Sequence, residues 1–125
     1  MSGLTLDAGA LIAFERNDRA VVAIVSRALT AGLPLAVPAG VVGQTWRDGR
    51  RQARLARLLG SDLVKIKVLD DKGARAAGQL CGATRTADVI DASVVLCART
   101  HRHGVLTSDV DDLRRLDSLL RYVAV

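Results

Sequence analysis

The chain has 125 residues, 50% of them hydrophobic and 25% charged, which suits one globular domain and excludes both a disordered chain and a pair of full-sized domains. Its net charge of +5 favours a polyanionic partner such as nucleic acid without specifying one. No apolar stretch reaches the roughly 18 to 20 residues that cross a bilayer, and "MSGLTLD" lacks the basic and apolar segments of a signal peptide, so the sequence predicts a cytoplasmic protein with no membrane association.

Aromatic residues are scarce, so the core must be built from Ala, Val, Leu and Ile, as where helices pack on a sheet. "LTLD" (Leu4–Asp7) reads as a first strand, followed by a short helix through about Glu15. Asn17 or Asp18 offers an N-cap for a helix over "RAVVAIVSRALTA", which Gly32 stops. "LPLAVP" (Leu33–Pro38) is a second strand, and helices follow from Ala39 to about Trp46 and over "RRQARLARLL" to Gly60. "LVKIKVL" (Leu63–Leu69) alternates and reads as a third strand nearer an edge, with a glycine-interrupted helix over "DDKGARAAGQLCG" after it. "TADVIDASVVLCARTH" is a strong helix with Thr86 as N-cap and Gly104 beyond its end. "VLTSD" (Val105–Asp109) is a fourth strand, "DDLRRLDSLL" a helix and "YVAV" a short terminal strand. The alternation predicts a single domain over residues 1–125: an α/β three-layer sandwich with a mostly parallel sheet of four to five strands.

Ligands of such sheets gather beyond the carboxyl ends of the strands, where Asp7 and Asp109 fall. Asp88 and Asp91 lie three residues apart on one helix, and Asp91 is surrounded by Ile90, Val94 and Val95. Each acid taken singly has an alternative role: Asp7 and Asp109 suit N-caps, and Asp88 suits a first helical turn. Taken together, carboxylates brought close without a counter-charge raise one another's pKa and oppose folding. A hard cation resolves that conflict, and oxygen-only ligands select Mg²⁺ or Mn²⁺ over zinc. The cluster thus predicts metal-dependent chemistry at phosphate.

"LDAGALIAFE", "DVIDASVVLCA" and "VLTSDVDDL", in this order and spacing, make the chain resemble PIN-domain ribonucleases, in particular VapC-type toxins of bacterial toxin–antitoxin pairs. The resemblance covers nearly the whole chain. It implies a PIN-like sandwich and an endoribonuclease whose acids hold Mg²⁺ or Mn²⁺. Asp7, Asp91 and Asp109 match the family's acids and Thr107 its hydroxyl residue; Asp88 and Asp112 match as auxiliary acids. It further implies a homodimer and inhibition by a cognate antitoxin.

One position departs from the pattern. The family's glutamate after the second strand is here Gln44, which keeps a carbonyl acceptor but has no charge and cannot serve as a general base. Three readings stand open: Asp88 supplies the missing charge, three acids suffice, or the chain is a catalytically silent RNA- or partner-binding protein. A phospho-accepting receiver domain, which also gathers aspartates, would need a lysine after its last strand, and none lies beyond Lys72.

"WRDGRRQARLARLLG" carries Arg47, Arg50, Arg51, Arg54 and Arg57. On a helix, Arg50, Arg54 and Arg57 would share a stripe, either as a solvated face, as an RNA-backbone groove near Gln44, or as a seat for an acidic antitoxin segment. Trp46 suits either base stacking or packing. Cys81 and Cys97 read as reduced core thiols, and the Cys97, His101, His103 spacing matches no closed zinc motif.

Overall fold

The computed structural model describes residues 2–125. Its strands are β1 (Leu4–Leu6), β2 (Leu35–Pro38), β3 (Val64–Lys67), β4 (Gly104–Thr107) and β5 (Tyr122–Ala124). The helices are α1 (Ala8–Glu15), α2 (Arg19–Thr30), α3 (Ala39–Thr45), α4 (Ala53–Leu59), α5 (Asp71–Thr84), α6 (Val89–His101) and α7 (Val110–Leu116). The strands form one sheet in the order β3-β2-β1-β4-β5 with every pairing parallel. Leu4 is in register with Leu35 on one side and Gly104 on the other.

Strand composition follows position. β1, β2 and β4 are buried throughout, which is why they read as unbroken apolar runs. β3 is an edge strand, so "VKIK" alternates and leaves Ile66 half-exposed with lysines on both sides of it.

The chain steps from β1 outward to β2 and β3, then crosses back over the sheet to β4 and on to β5. Right-handed crossovers therefore place α1–α4 on one face and α5–α7 on the other. Accordingly α1 packs with α2, α3 and α4, whereas α6 packs with α5 and α7 and covers β1, β2 and β4. Leu6, Leu35, Val37 and Leu106 from the sheet meet Leu11, Val21, Val41 and Leu55 from one helical layer and Val94, Val95 and Leu113 from the other.

Several boundaries differ from the sequence reading. Asp18 takes the cap of α2, accepting from the Val21 amide at 3.1 Å, while Asn17 makes the left-handed turn before it. Thr86 does not cap α6. Asp88 does, through a 2.9 Å bond to the Asp91 amide, and the Thr86 hydroxyl pairs instead with Thr84. The expected helix over "RRQARLARLL" starts only at Ala53, so Arg47, Arg50 and Arg51 lie on a loop and the stripe through Arg50 does not form. Buried Gln52 organises that loop, accepting from the Arg47 and Asp48 amides and donating to the Thr45 carbonyl. α5 runs through its glycines to Thr84, two residues further than expected. α7 stops at Leu116: Asp117 turns extended while its amide still donates to the Leu113 carbonyl at 3.0 Å, which also accepts from the Tyr122 hydroxyl, and its carboxylate accepts from Arg99 at 2.6 Å. Among the described residues, no helix is long and apolar enough to cross a membrane.

Candidate metal centre

β1 and β4 are neighbours, and strand order reverses between them. Adjacent strands leaving this point in opposite directions open a crevice at their carboxyl ends. Asp7 and Thr107–Asp109 stand on that edge. The amino end of α6 brings Asp91 there, and α7 brings Asp112.

Asp7 serves two partners at once. It is 5% exposed, and its Oδ1 caps α1 by accepting from the Ala10 amide at 2.9 Å. Its Oδ2 accepts from the fully buried Thr107 hydroxyl. Burial raises its pKa although these hydrogen bonds pull the other way.

Asp109 occupies the cap position of α7, yet its carboxylate makes no capping bond. Capping therefore does not explain it. Its backbone amide instead donates to Thr107 Oγ1 at 2.8 Å. Desolvation, then the neighbouring Asp112 and Asp7, push its carboxyl upward.

Asp91 sits in the first turn of α6. Burial, followed by the charges of Asp88, Asp7, Asp109 and Asp112, raises its pKa to about 6. One carboxylate oxygen from each of Asp91, Asp109 and Asp112 lies within 4.8 Å of the others. Among the described residues this is the one trio of Asp, Glu, His or Cys so arranged; Cys97, His101 and His103 form none. Asp112, an auxiliary acid by sequence, thus belongs to the central trio, and Asp7 stands behind it with both oxygens engaged.

The donor set fits a hard divalent cation: it is all carboxylate, and burial together with neighbouring carboxylates raises the pKa of Asp91 and Asp109. Asp88, exposed at the α6 cap, adds its charge to the same neighbourhood. Gln44 is exposed on α3. Gly40, one turn before it, lies against α6, where an added Cβ would be 3.1 Å from Ile90 Cγ1. Gln44 therefore lies on the side of α3 that approaches the start of α6.

The arginines of the loop make local contacts. Arg47 folds back onto the Gly43 and Trp46 carbonyls, and Arg50 and Arg51 flank Asp48. Arg54 and Arg57 are exposed on α4. Trp46 packs over Gly49, where a Cβ would be only 2.7 Å from the ring, and 38% of it stays exposed. Sequence reasoning missed Gln52, since a buried amide that orders a loop leaves no pattern in the chain. It also missed Arg85 and Arg115, which share a cavity of about 260 Å³ with Asp88, Asp91 and Asp112.

No protein-family profile and no curated relative matches the sequence. Solved structures do match. A toxin–antitoxin complex from Klebsiella pneumoniae is 18% identical, with 98% of this chain and 97% of that one covered at a TM-score of 0.70. VapBC2 from Rickettsia felis, bound to a promoter DNA fragment, is 13% identical over 97% of each chain at a TM-score of 0.71. VapC20 from Mycobacterium tuberculosis, a sarcin–ricin loop cleaving toxin, is 17% identical over 82% of this chain and 87% of its own, with a TM-score of 0.62. At such identities the likeness is one of architecture, and it is explicit: this chain has the PIN-like fold of these toxin–antitoxin proteins.

Proposed function

We propose that the protein is a Mg²⁺- or Mn²⁺-dependent endoribonuclease, acting as the toxin of a toxin–antitoxin pair in the cytoplasm. The observation that carries this reading is the trio Asp91, Asp109 and Asp112, within 4.8 Å of one another at the sheet's switch point. Asp91, Asp109 and Asp112 would hold the cation, and Asp7 would orient the water or ligand next to it. When bound, the cation supplies Lewis acidity to a phosphoryl oxygen and lowers the pKa of water. A carboxylate of the cluster would accept the proton that the attacking water loses. Thr107 keeps Asp7 and Asp109 in register throughout.

RNA as substrate is supported by the sarcin–ricin loop cleavage attributed to the Mycobacterium tuberculosis neighbour. An antitoxin partner is supported by the complexes from Klebsiella pneumoniae and Rickettsia felis. Self-association as a homodimer belongs to the same reading. Gln44 favours a second one, in which the protein binds RNA or a partner without cutting.

Cleavage of RNA by antitoxin-free protein, with Mn²⁺ or Mg²⁺ and with EDTA, separates the two. Cutting that needs the ion and disappears in Asp7→Asn and Asp109→Asn proteins supports the nuclease. Folded protein that binds RNA and leaves varied RNAs intact supports the silent reading.

A further inference from the structure

Beside the acidic trio, the end of α5, the start of α6 and α7 enclose a cavity of about 260 Å³. It is lined by Asp88, Asp91 and Asp112, by Arg85 and Arg115, and by the hydroxyl pair Thr84 and Thr86. Among the described residues neither arginine forms an ion pair within 4.0 Å, although three carboxylates share the cavity with them. Arg85 also takes the left-handed turn that ends α5, with φ at +56°, where glycine would be the easier residue. Two unpaired guanidiniums beside a cation-binding cluster are suited to an anion that the cation also attracts.

We propose that this cavity is a phosphate subsite, in which Arg85 and Arg115 hold the RNA phosphodiester next to the one being cleaved; the proposal rests on the ribonuclease reading. Charge supports a cation-dependent seat. With its acids ionised, the lining carries one more negative charge than positive, which repels phosphate. A divalent ion in the trio, counted with its third ligand Asp109, brings that balance to zero and removes the repulsion. The subsite is therefore filled only after the metal site, and the backbone is drawn across Asp91 and Asp112. Arg47, Arg50 and Arg51 lack this placement, since their nearest carboxylate is Asp48 or their donors are spent on backbone carbonyls.

The test is binding of a fluorescein-labelled single-stranded RNA in Ca²⁺ at several salt concentrations, with electrophoresis verifying that the RNA stays intact. Mn²⁺ affinity is measured in parallel by calorimetry. Each phosphate contact to single-stranded nucleic acid contributes about 0.7 to the slope of log affinity against log salt. Arg85→Gln and Arg115→Gln should each lower the slope by about 0.7 and the double variant by about 1.4. Arg→Lys variants should retain the slope while losing affinity, because charge persists and the two-pronged geometry does not. Mn²⁺ should bind the Gln variants at least as tightly as the unaltered protein, because a neighbouring positive charge has been removed. An unchanged slope in variants of a protein that does bind RNA overturns the subsite and leaves the nuclease intact. Loss of affinity for polyglutamate in place of RNA would reassign the arginines to an acidic protein partner and overturn it too. Unaltered protein that binds neither Mn²⁺ nor RNA defeats the ribonuclease reading itself.

Discussion

Thr107 and Asp7, a hundred residues apart in sequence, are joined by a buried hydrogen bond in which the threonine hydroxyl donates to Asp7 Oδ2. The same oxygen of Thr107 accepts from the Asp109 amide at 2.8 Å. One hydroxyl therefore fixes the ends of β1 and β4 relative to each other, using its single proton on one side and a lone pair on the other. Thr107→Val keeps the shape and removes both bonds, leaving a buried carboxylate oxygen and an amide without these partners. The expected cost is about 1–3 kcal/mol in chemical denaturation. Thr107→Ser should recover most of it, whereas a loss in Thr107→Ser with none in Thr107→Val would show that the methyl group, not the hydroxyl, matters.

Asp7 combines a cap with a site carboxylate, and substitution can separate these. Asparagine preserves the oxygen that accepts from Ala10 but turns an NH2 toward Thr107, whose hydroxyl must then accept from it, so Asp7→Asn should fold and be more stable than Asp7→Ala. Asp7→Ala should lose about 1 kcal/mol as an N-cap deletion. Both should weaken Mn²⁺ binding by about 10- to 100-fold, the range for groups that support metal ligands. Titration calorimetry would refute this if Asp7→Asn bound Mn²⁺ as well as the parent.

The raised acids predict how stability depends on pH. Because the folded pKa of Asp91 is about 6 against an ordinary 3.8, the folded protein binds more protons than the unfolded chain between those values. Stability of the metal-free protein should therefore fall as pH rises from about 4 through 6, and the loss persists at neutral pH. Buried His103, whose pKa is lowered by desolvation and then by His101 and Lys67, acts oppositely. It costs stability as pH falls below its unfolded value. Comparison with Asp91→Asn isolates the aspartate: thermal melts at pH 5 and 7 should differ less in that variant. Mn²⁺ binding should also weaken below pH 6, where the ion must displace a proton.

Much of this arrangement was legible because parallel sheets write their topology into composition. β1, β2 and β4 are buried on both faces and end abruptly in charge or a turn, so Asp7 and Asp109 stood out as acids in a costly position. Asp91 stood out because an apolar helix face surrounds it. Asp112 did not, since "DDLRRL" is an ordinary way to start a helix, and only the tight turn after β4 carries that residue into the trio. The arginine loop was misread because Arg50 and Arg51 continue a helical charge pattern. What stops the helix is the side chain of Gln52, which ties the Arg47 and Asp48 amides to the end of α3.

Gly9 has a close neighbour that the sequence does not disclose. A Cβ there would fall 1.9 Å from Ser108 Oγ and 3.1 Å from Ser108 Cβ. Gly9→Ala should push away the turn that carries Asp109, lowering Mn²⁺ affinity several-fold. Ser108→Ala removes the nearer atom, so the double variant should regain most of that affinity. Absence of any rescue would mean that the backbone of α1, not Ser108, absorbs the strain.

Gln44 decides between a working and a silent site. Gly40 abuts Ile90 one helical turn earlier on α3, so a glutamate at residue 44 would place a new charge on the side nearest α6. Gln44→Glu should then have opposite effects with and without metal. Extra repulsion among the carboxylates lowers the melting temperature of the metal-free protein. The added charge tightens Mn²⁺ binding by about tenfold, the scale on which one group beside a metal acts, and raises the Mn²⁺-saturated melting temperature above that of the parent. RNA cleavage should increase with it. If melts with and without Mn²⁺ both match the parent, residue 44 lies beyond electrostatic reach of the trio, and its being glutamine says nothing about catalysis. If Mn²⁺ binding tightens while neither protein cuts RNA, metal affinity alone is not what the site lacks, and the silent reading prevails.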